Sequence, residues 1–214
     1  MELIVFDFDG TLAELNIDFS EMRRLVTGLA AEYGYDLAQA GQRYVLEAVG
    51  MAAQALGSKG SEFRAGAEEA IVALEIDSAR AGRLFPGVRQ GLAALGRAGF
   101  KRAVITRNCR RAVETVFPDL DDWCELFLPR DDVSRPKPAP EHLSAVLERL
   151  KADPEHTLMV GDHPLDLATA GAVGARSCGL PTGRMSREDL AEEDVIFDSL
   201  AELVEALVRG RGAP

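Results

Sequence analysis

The sequence has no run of about 18 apolar residues, the length a membrane-crossing helix needs, so no membrane span is expected. Cysteine is scarce. Cys109, Cys124 and Cys178 are odd in number and widely spaced, which suits neither a disulfide framework nor a structural zinc site and points to a reducing cytoplasm. Their expected use is as small buried hydrophobes. The N-terminus enters an apolar stretch at Leu3–Phe6 without the basic region and cleavage site of a secretory signal, which gives the same expectation. Positive charge is also in short supply. With 24 Lys and Arg against 35 Asp and Glu, the net charge is −11, which argues against nucleic acid or an anionic membrane as partner. Any phosphate site must therefore be made positive locally, by a metal, by Lys or Arg, or by helix N-termini.

The 214 residues, 47% hydrophobic and 28% charged, are enough for one full core and a small second domain. Leu3–Phe6 has no polar alternation and reads as a strand buried on both faces. After Leu12 the pattern becomes helical. Phe19, Met22, Leu25, Val26 and Leu29 repeat at helical spacing, with Asp18 or Ser20 as cap. Further helices are expected at 37–56 and 61–74, with the GSKGS stretch at 57–61 as a loop between them. This makes an all-helical insert over 14–83. From the LFPGV turn at 84–88, helices (88–98, 110–116, 140–151, 165–171, 200–208) alternate with strands (102–105, 125–129, 157–162, 175–180, 194–198), and the tail at 210–214 is expected to fray. Such alternation predicts an α/β fold, a Rossmann-like, doubly wound parallel sheet carrying an inserted helical domain. The core would comprise 1–13 and 84–214, and the cap 14–83.

Ligands of such sheets bind at the carboxyl ends of the strands. Asp7 and Asp9 stand at one such end. Thr106, Arg107 and Asn108 follow another, Asp131 and Asp132 lead from a third to Lys137, and Asp162 and Asp166 close a fourth. Taken singly, each has an ordinary reading: Asp-Gly-Thr as a turn, Asp162 and Asp166 as cap and first-turn acid, Thr106 as a threonine cap, Lys137 as a surface lysine. Together, Asp7, Asp9, Asp162 and Asp166 would not all ionise side by side without a counter-charge. A hard divalent cation resolves this, and Mg²⁺ is the usual choice beside phosphate. Thr106 at a helix start suits a phosphate, and Lys137, between two prolines, is a positioned cation.

DFDGT at 7–11, VITR at 104–107, RPKP at 135–138 and GDHPLD at 161–166 occur in the order and positions of the four signature motifs of the haloacid-dehalogenase superfamily. The chain resembles the branch that includes phosphoglycolate phosphatases and β-phosphoglucomutase, and the helical insert looks like that superfamily's first cap type. The resemblance implies a phosphatase acting on a small phosphorylated metabolite through an aspartyl-phosphate. Asp7 would be the nucleophile and Asp9 the general acid and base. Mg²⁺ would lie on the Asp7 carboxylate, the Asp9 main-chain carbonyl and Asp162, with Asp166 in support, while Thr106 and Lys137 bind the phosphoryl oxygens. Arg107 and Asn108 would join the substrate side, although Arg107 intervenes where many relatives have the asparagine directly after the threonine. His163 is expected to be an ordinary loop histidine. Lys59 in GSKGS, or Arg23 or Arg24, would meet an anionic substrate tail. A haloalkanoic acid dehalogenase is disfavoured by the second acid, Asp9, whereas a phosphomutase would keep the same four motifs. A non-catalytic binding protein would be expected to lose one of them. The chain is expected to act as a monomer or weak dimer.

Overall fold

The computed structural model describes residues 1–42, 44–190 and 194–212. The chain divides into two compact units, one formed by Met1–Leu15 with Gly82–Pro214 and the other by Asn16–Ala81. No described helix is long and apolar enough to cross a membrane.

The first unit is built on a six-stranded, all-parallel sheet. Its strands are β1 (Leu3–Phe6), β4 (Lys101–Ile105), β5 (Leu126–Leu128), β6 (Thr157–Gly161), β7 (Arg176–Gly179) and β8 (Val195–Ile196), in the spatial order β5-β4-β1-β6-β7-β8. All four residues of β1 are buried, as the unbroken apolar run requires. Phe6 is in register with Val104 on one side and Val160 on the other. The chain leaves β1, builds outward through β4 and β5, then returns to build through β6 on the opposite side. Strand order therefore reverses at β1, which is where open α/β sheets bind ligands.

Helix α6 (Pro140–Leu150) and helix α7 (Pro164–Val173) bring Leu143, Val146, Leu147 and Ala170 into one core with Leu3, Val5, Ala103, Ile105, Leu128 and Met159. Helix α4 (Val88–Arg97) buries Val88, Leu92 and Leu95. It packs on α8 (Leu200–Gly212), close enough that a Cβ at Gly91 would lie 3.2 Å from Val204. Helix α5 (Arg110–Val116) follows β4. The tail is not frayed as expected as far as Gly212, the last described residue. Arg211 donates to the carbonyls of Met1, Ala98 and Gly99 and covers the Phe100 ring at 4.0 Å. All three cysteines are free and buried.

One feature has no signature in the sequence. Strand β2 (Ala13–Glu14) pairs antiparallel with β3 (Arg83–Leu84), and Arg83 forms an ion pair with Glu14. The expected domain boundaries, 13/14 and 83/84, fall inside this pair.

The second unit is helical. Helix α1 (Phe19–Glu32) starts at Asp18, whose carboxylate accepts from Ser20 N–H and Glu21 N–H at 3.0 and 2.9 Å. Its buried stripe is Met22, Val26 and Ala30, while Phe19 is 50% exposed. The expected helix over 37–56 is interrupted. A single 3₁₀ turn, Leu37–Ala40, ends at Gly41 with φ 62°, and α2 spans only Val45–Ala55. Arg43, within that expected helix, lies outside the described residues. Two further expectations are corrected. GSKGS is not a loop: Gly57–Lys59 is a 3₁₀ turn and Gly60 already begins α3, where a Cβ would lie 1.9 Å from the Ala53 carbonyl oxygen. Glycine there is a packing residue that lets α2 and α3 approach. And α3 (Gly60–Ala81) runs seven residues past Leu74, since its buried stripe Ala67, Ile71, Glu75, Ala79 continues through a carboxylate that hides the apolar pattern.

Candidate active site

The site lies at the carboxyl edge of the sheet and is assembled from the ends of β1, β4, β5 and β6. After Phe6 the chain turns sharply: Asp7 N–H donates to the Val160 carbonyl at 2.8 Å, and Leu12 N–H and Ala13 N–H both donate to the Phe8 carbonyl. Gly10 makes this turn possible. Its φ of 82° is the left-handed region, and a Cβ there would lie 2.2 Å from Asp162 Oδ2.

The turn sends the two aspartates of DFDGT to different partners. Asp7, Asp162 and Asp166 converge, with one carboxylate oxygen from each within 4.8 Å of the others, all three buried. Asp9 does not join them through its carboxylate, which corrects the expectation of four converging side chains. It accepts from Thr106 Oγ1–H and from Asn108 Nδ2–H, each at 3.0 Å. Asn108 therefore does reach the site despite the intervening Arg107, by holding Asp9. Thr106 Oγ in turn accepts from Asn108 N–H at 3.0 Å.

Lys137 is the counter-charge of the three acids. Its side chain is 3% exposed, and its ammonium lies 2.6 Å from Asp7 Oδ1 and 2.7 Å from Asp166 Oδ1. Burial by itself would lower the lysine pKa, but the charges of Asp166 and Asp7 outweigh it and hold it above the usual value. One ammonium does not balance three carboxylates. Burial, reinforced by Asp7 and Asp166, pushes Asp162 up to about 8, and burial pushes Asp166 up to about 7 against the pull of Lys137. The site is thus short of positive charge, its donors are hard oxygens, and the space beside Asp162 is kept clear by glycine. That donor set fits a divalent cation.

Asp162 also accepts from Thr11 Oγ1–H at 3.2 Å, and Asp166 from His163 N–H at 3.3 Å. His163 is the N-cap of α7, its Nδ1 accepting from Leu165 N–H at 3.1 Å. Arg107 donates to the Lys137 carbonyl, so that contact is with main chain and not with a substrate position. Asp131 and Asp132 stand apart from the acid cluster, engaged by the Arg110 N–H at 2.8 Å and its guanidinium respectively. In the second unit Lys59 is exposed, Arg24 is held by Glu21 at 2.6 Å and Arg23 donates to the Gln42 carbonyl at 3.0 Å.

Sequence reasoning did not anticipate the segment after β7. Thr182 Oγ1–H donates to the Gly10 carbonyl at 2.7 Å, and a Cβ on Gly183 would sit 1.8 Å from Asp162 Oδ2. The signal was available, since LPTGR follows a strand end just as DFDGT does. His142, buried between Lys137 N–H and the Leu128 carbonyl, was also passed over.

Residues 1–174 match the family model described as haloacid dehalogenase-like hydrolase. Over 128 residues the chain is 38% identical to the phosphoglycolate phosphatase of Salmonella choleraesuis, covering 58% of this chain and 51% of that protein. The chain thus aligns to about half the length of the curated relatives it matches. Among solved structures, a hydrolase from Pseudomonas syringae shares the fold with a TM-score of 0.70 at 18% identity, over 98% of this chain and 99% of that one. CbbY from Rhodobacter sphaeroides, in complex with phosphate, does so with a TM-score of 0.65 at 24% identity, over 95% and 96%. An extensive match to the family model, joined to a parallel sheet whose order reverses at the strand bearing Asp7, places this chain in the haloacid dehalogenase-like hydrolase family.

Proposed function

We propose that this chain is a Mg²⁺-dependent phosphatase that hydrolyses a small, phosphoglycolate- or sugar-phosphate-like monoester through an aspartyl-phosphate, working in the cytoplasm as a monomer or weak dimer. The observation that carries this reading is the split between Asp7 and Asp9. Two carboxylates two residues apart have been given different surroundings, one against an ammonium and two acids, the other between a hydroxyl and an amide. That separation suits one nucleophile and one proton carrier.

Asp7 Oδ attacks phosphorus, the ester P–O bond breaks, and the leaving alkoxide takes a proton from the Asp9 carboxyl. A water molecule then gives its proton to the Asp9 carboxylate as it attacks phosphorus, and the bond to Asp7 breaks to release phosphate. Asn108 orients Asp9 for both transfers. Lys137 withdraws charge from the transferring oxygens, and the Thr106 hydroxyl turns its proton from Asp9 to them when the phosphoryl group arrives. Asp7, Asp162, Asp166 and the Asp9 main-chain carbonyl would hold Mg²⁺, which neutralises charge on the phosphoryl group. The second unit, residues 16–81, would act as the cap that admits the substrate, with Lys59 meeting an anionic tail.

The name of the Salmonella relative supports the substrate class, and a panel of phosphate esters tests it. Phosphate release from phosphoglycolate or a sugar phosphate is expected. Interconversion of hexose 1- and 6-phosphates with little phosphate released would replace the phosphatase by a mutase, and no turnover of any ester would overturn the reading. Lys59→Ala should raise KM for carboxylated esters more than for an aryl phosphate. Equal effects would remove Lys59 from the site.

A further inference from the structure

His142 has no part in the chemistry above, yet it is completely buried at the start of α6 and has a partner on each ring nitrogen. The Lys137 N–H can only donate, so Nδ1 accepts it, at 3.0 Å. The proton must then be on Nε2, which donates to the Leu128 carbonyl at 2.9 Å. That carbonyl also accepts the Thr106 N–H, at 3.3 Å. One imidazole thus connects the main chain of Thr106 to the main chain of Lys137 through a single shared acceptor. From the other side, Arg107, next to Thr106, donates to the Lys137 carbonyl. Both polar groups of the Lys137 residue's main chain are tied back to the β4–β5 edge.

We propose that His142 is a positioning residue, which with Arg107 sets the distance and orientation of Lys137 relative to Thr106. The lysine stem rises from a segment between two prolines with no strand or helix of its own, and these ties add to the Asp7 and Asp166 contacts that hold it. A neutral ring suits the task. Burial, with Lys137 and Arg107 nearby, lowers the His142 pKa to about 4, so Nδ1 stays an acceptor through the neutral range. The position also explains why the residue after Thr106 is an arginine in this chain. It serves the lysine loop, while Asn108 takes the contact with Asp9.

The proposal rests on the phosphatase reading where it is tested by turnover, and the experiment keeps the two apart. Wild-type protein is first assayed with p-nitrophenyl phosphate and Mg²⁺, and absence of turnover there counts against the phosphatase reading alone. His142→Phe fills the same space without either hydrogen bond, whereas His142→Asn keeps an acceptor near the place of Nδ1. Hydrogen exchange, which needs no activity, should show the Lys137 amide protected in wild type and His142→Asn and unprotected in His142→Phe. In turnover, His142→Phe should lower kcat/KM by about ten- to a hundredfold, the scale of a small misplacement, and His142→Asn by less than about threefold. Arg107→Met should fall between them.

The deciding comparison uses a Lys137→Ala background, where His142→Phe and Arg107→Met should each change kcat/KM by less than about twofold, because the group they position is gone. Orthophosphate affinity, measured by calorimetry with Mg²⁺, gives the same comparison if Lys137→Ala has no measurable turnover. An undiminished loss in the Lys137→Ala background would overturn the proposal. So would equal behaviour of the Phe and Asn variants, or an unprotected Lys137 amide in the wild type.

Discussion

Replacing Lys137 by methionine removes the ammonium that lies among three buried carboxyl groups while keeping most of the side-chain volume. The lysine is 3% exposed, with Asp7 and Asp166 at 2.6 and 2.7 Å, so solvent does little to screen the pair. Taking one partner from such a buried ion pair costs about 3–5 kcal/mol, because the other charge is left uncompensated. For a chain of this size each kcal/mol is worth about 2–4 °C, so metal-free Lys137→Met should unfold about 6–20 °C below the wild type at pH 8. The loss should shrink at pH 5. Without Lys137, Asp166 loses the main influence that lowers its pKa, and protons can replace the missing cation. Saturating Mg²⁺ should recover most of the Tm but not the turnover, since the ammonium that faces the phosphoryl oxygens is still absent. Thermal unfolding followed by circular dichroism in EDTA, at both pH values, reads all of this. A Tm within about 2 °C of wild type at pH 8, or a larger loss at pH 5 than at pH 8, would refute the account of Lys137 as the counter-charge.

The wild-type protein should show a related pH dependence. Asp162 and Asp166 bind protons more tightly folded than unfolded, so in EDTA their contribution is full below about pH 4 and lost as pH rises through about 7 to 8. Mg²⁺ at a hundred times its Kd should raise the Tm by about 5–10 °C at pH 8 and flatten that decline, and full turnover in EDTA would sink the metal assignment. Asp7→Asn should abolish turnover, while Asp9→Asn should lose about 10²–10⁴ and accumulate acid-labile phosphoprotein; near-normal rates for Asp7→Asn would remove the covalent route. Gly183→Ala places a methyl 1.8 Å from Asp162 Oδ2, so it should weaken Mg²⁺ binding at least tenfold by calorimetry, and an unchanged affinity would show that Asp162 moves freely.

Much of this was legible in the residues. Leu3–Phe6 and the LMVG stretch at 158–161 are unbroken apolar runs ended by aspartate, and a strand buried on both faces has little other reading. Because strand ends in a doubly wound sheet share one edge, Asp7, Thr106 and Asp162 were brought together by alternation alone. Helix limits were less legible where a polar residue fills a buried position, as Glu75 does in α3, or where glycine serves close packing, as Gly60 does against Ala53.

What the tertiary structure decided was the partner of each side chain. Asp7 and Asp9 look equivalent in DFDGT. The left-handed turn at Gly10 and the reach of Thr106 and Asn108 across from β4 part them, giving one to Lys137 and the other to that hydroxyl and amide. His142 reads as one polar residue near the start of an amphipathic helix, because its partners, Leu128 and Lys137, belong to a strand end and a proline-flanked loop. Thr182 and Gly183 meet Gly10 and Asp162 only once β7 has been laid against β6. Periodicity reports the face a residue turns to the core, a local property of the backbone. A hydrogen bond from Thr182 to Gly10 depends on the order in which strands are placed, and no window of neighbouring residues contains that order.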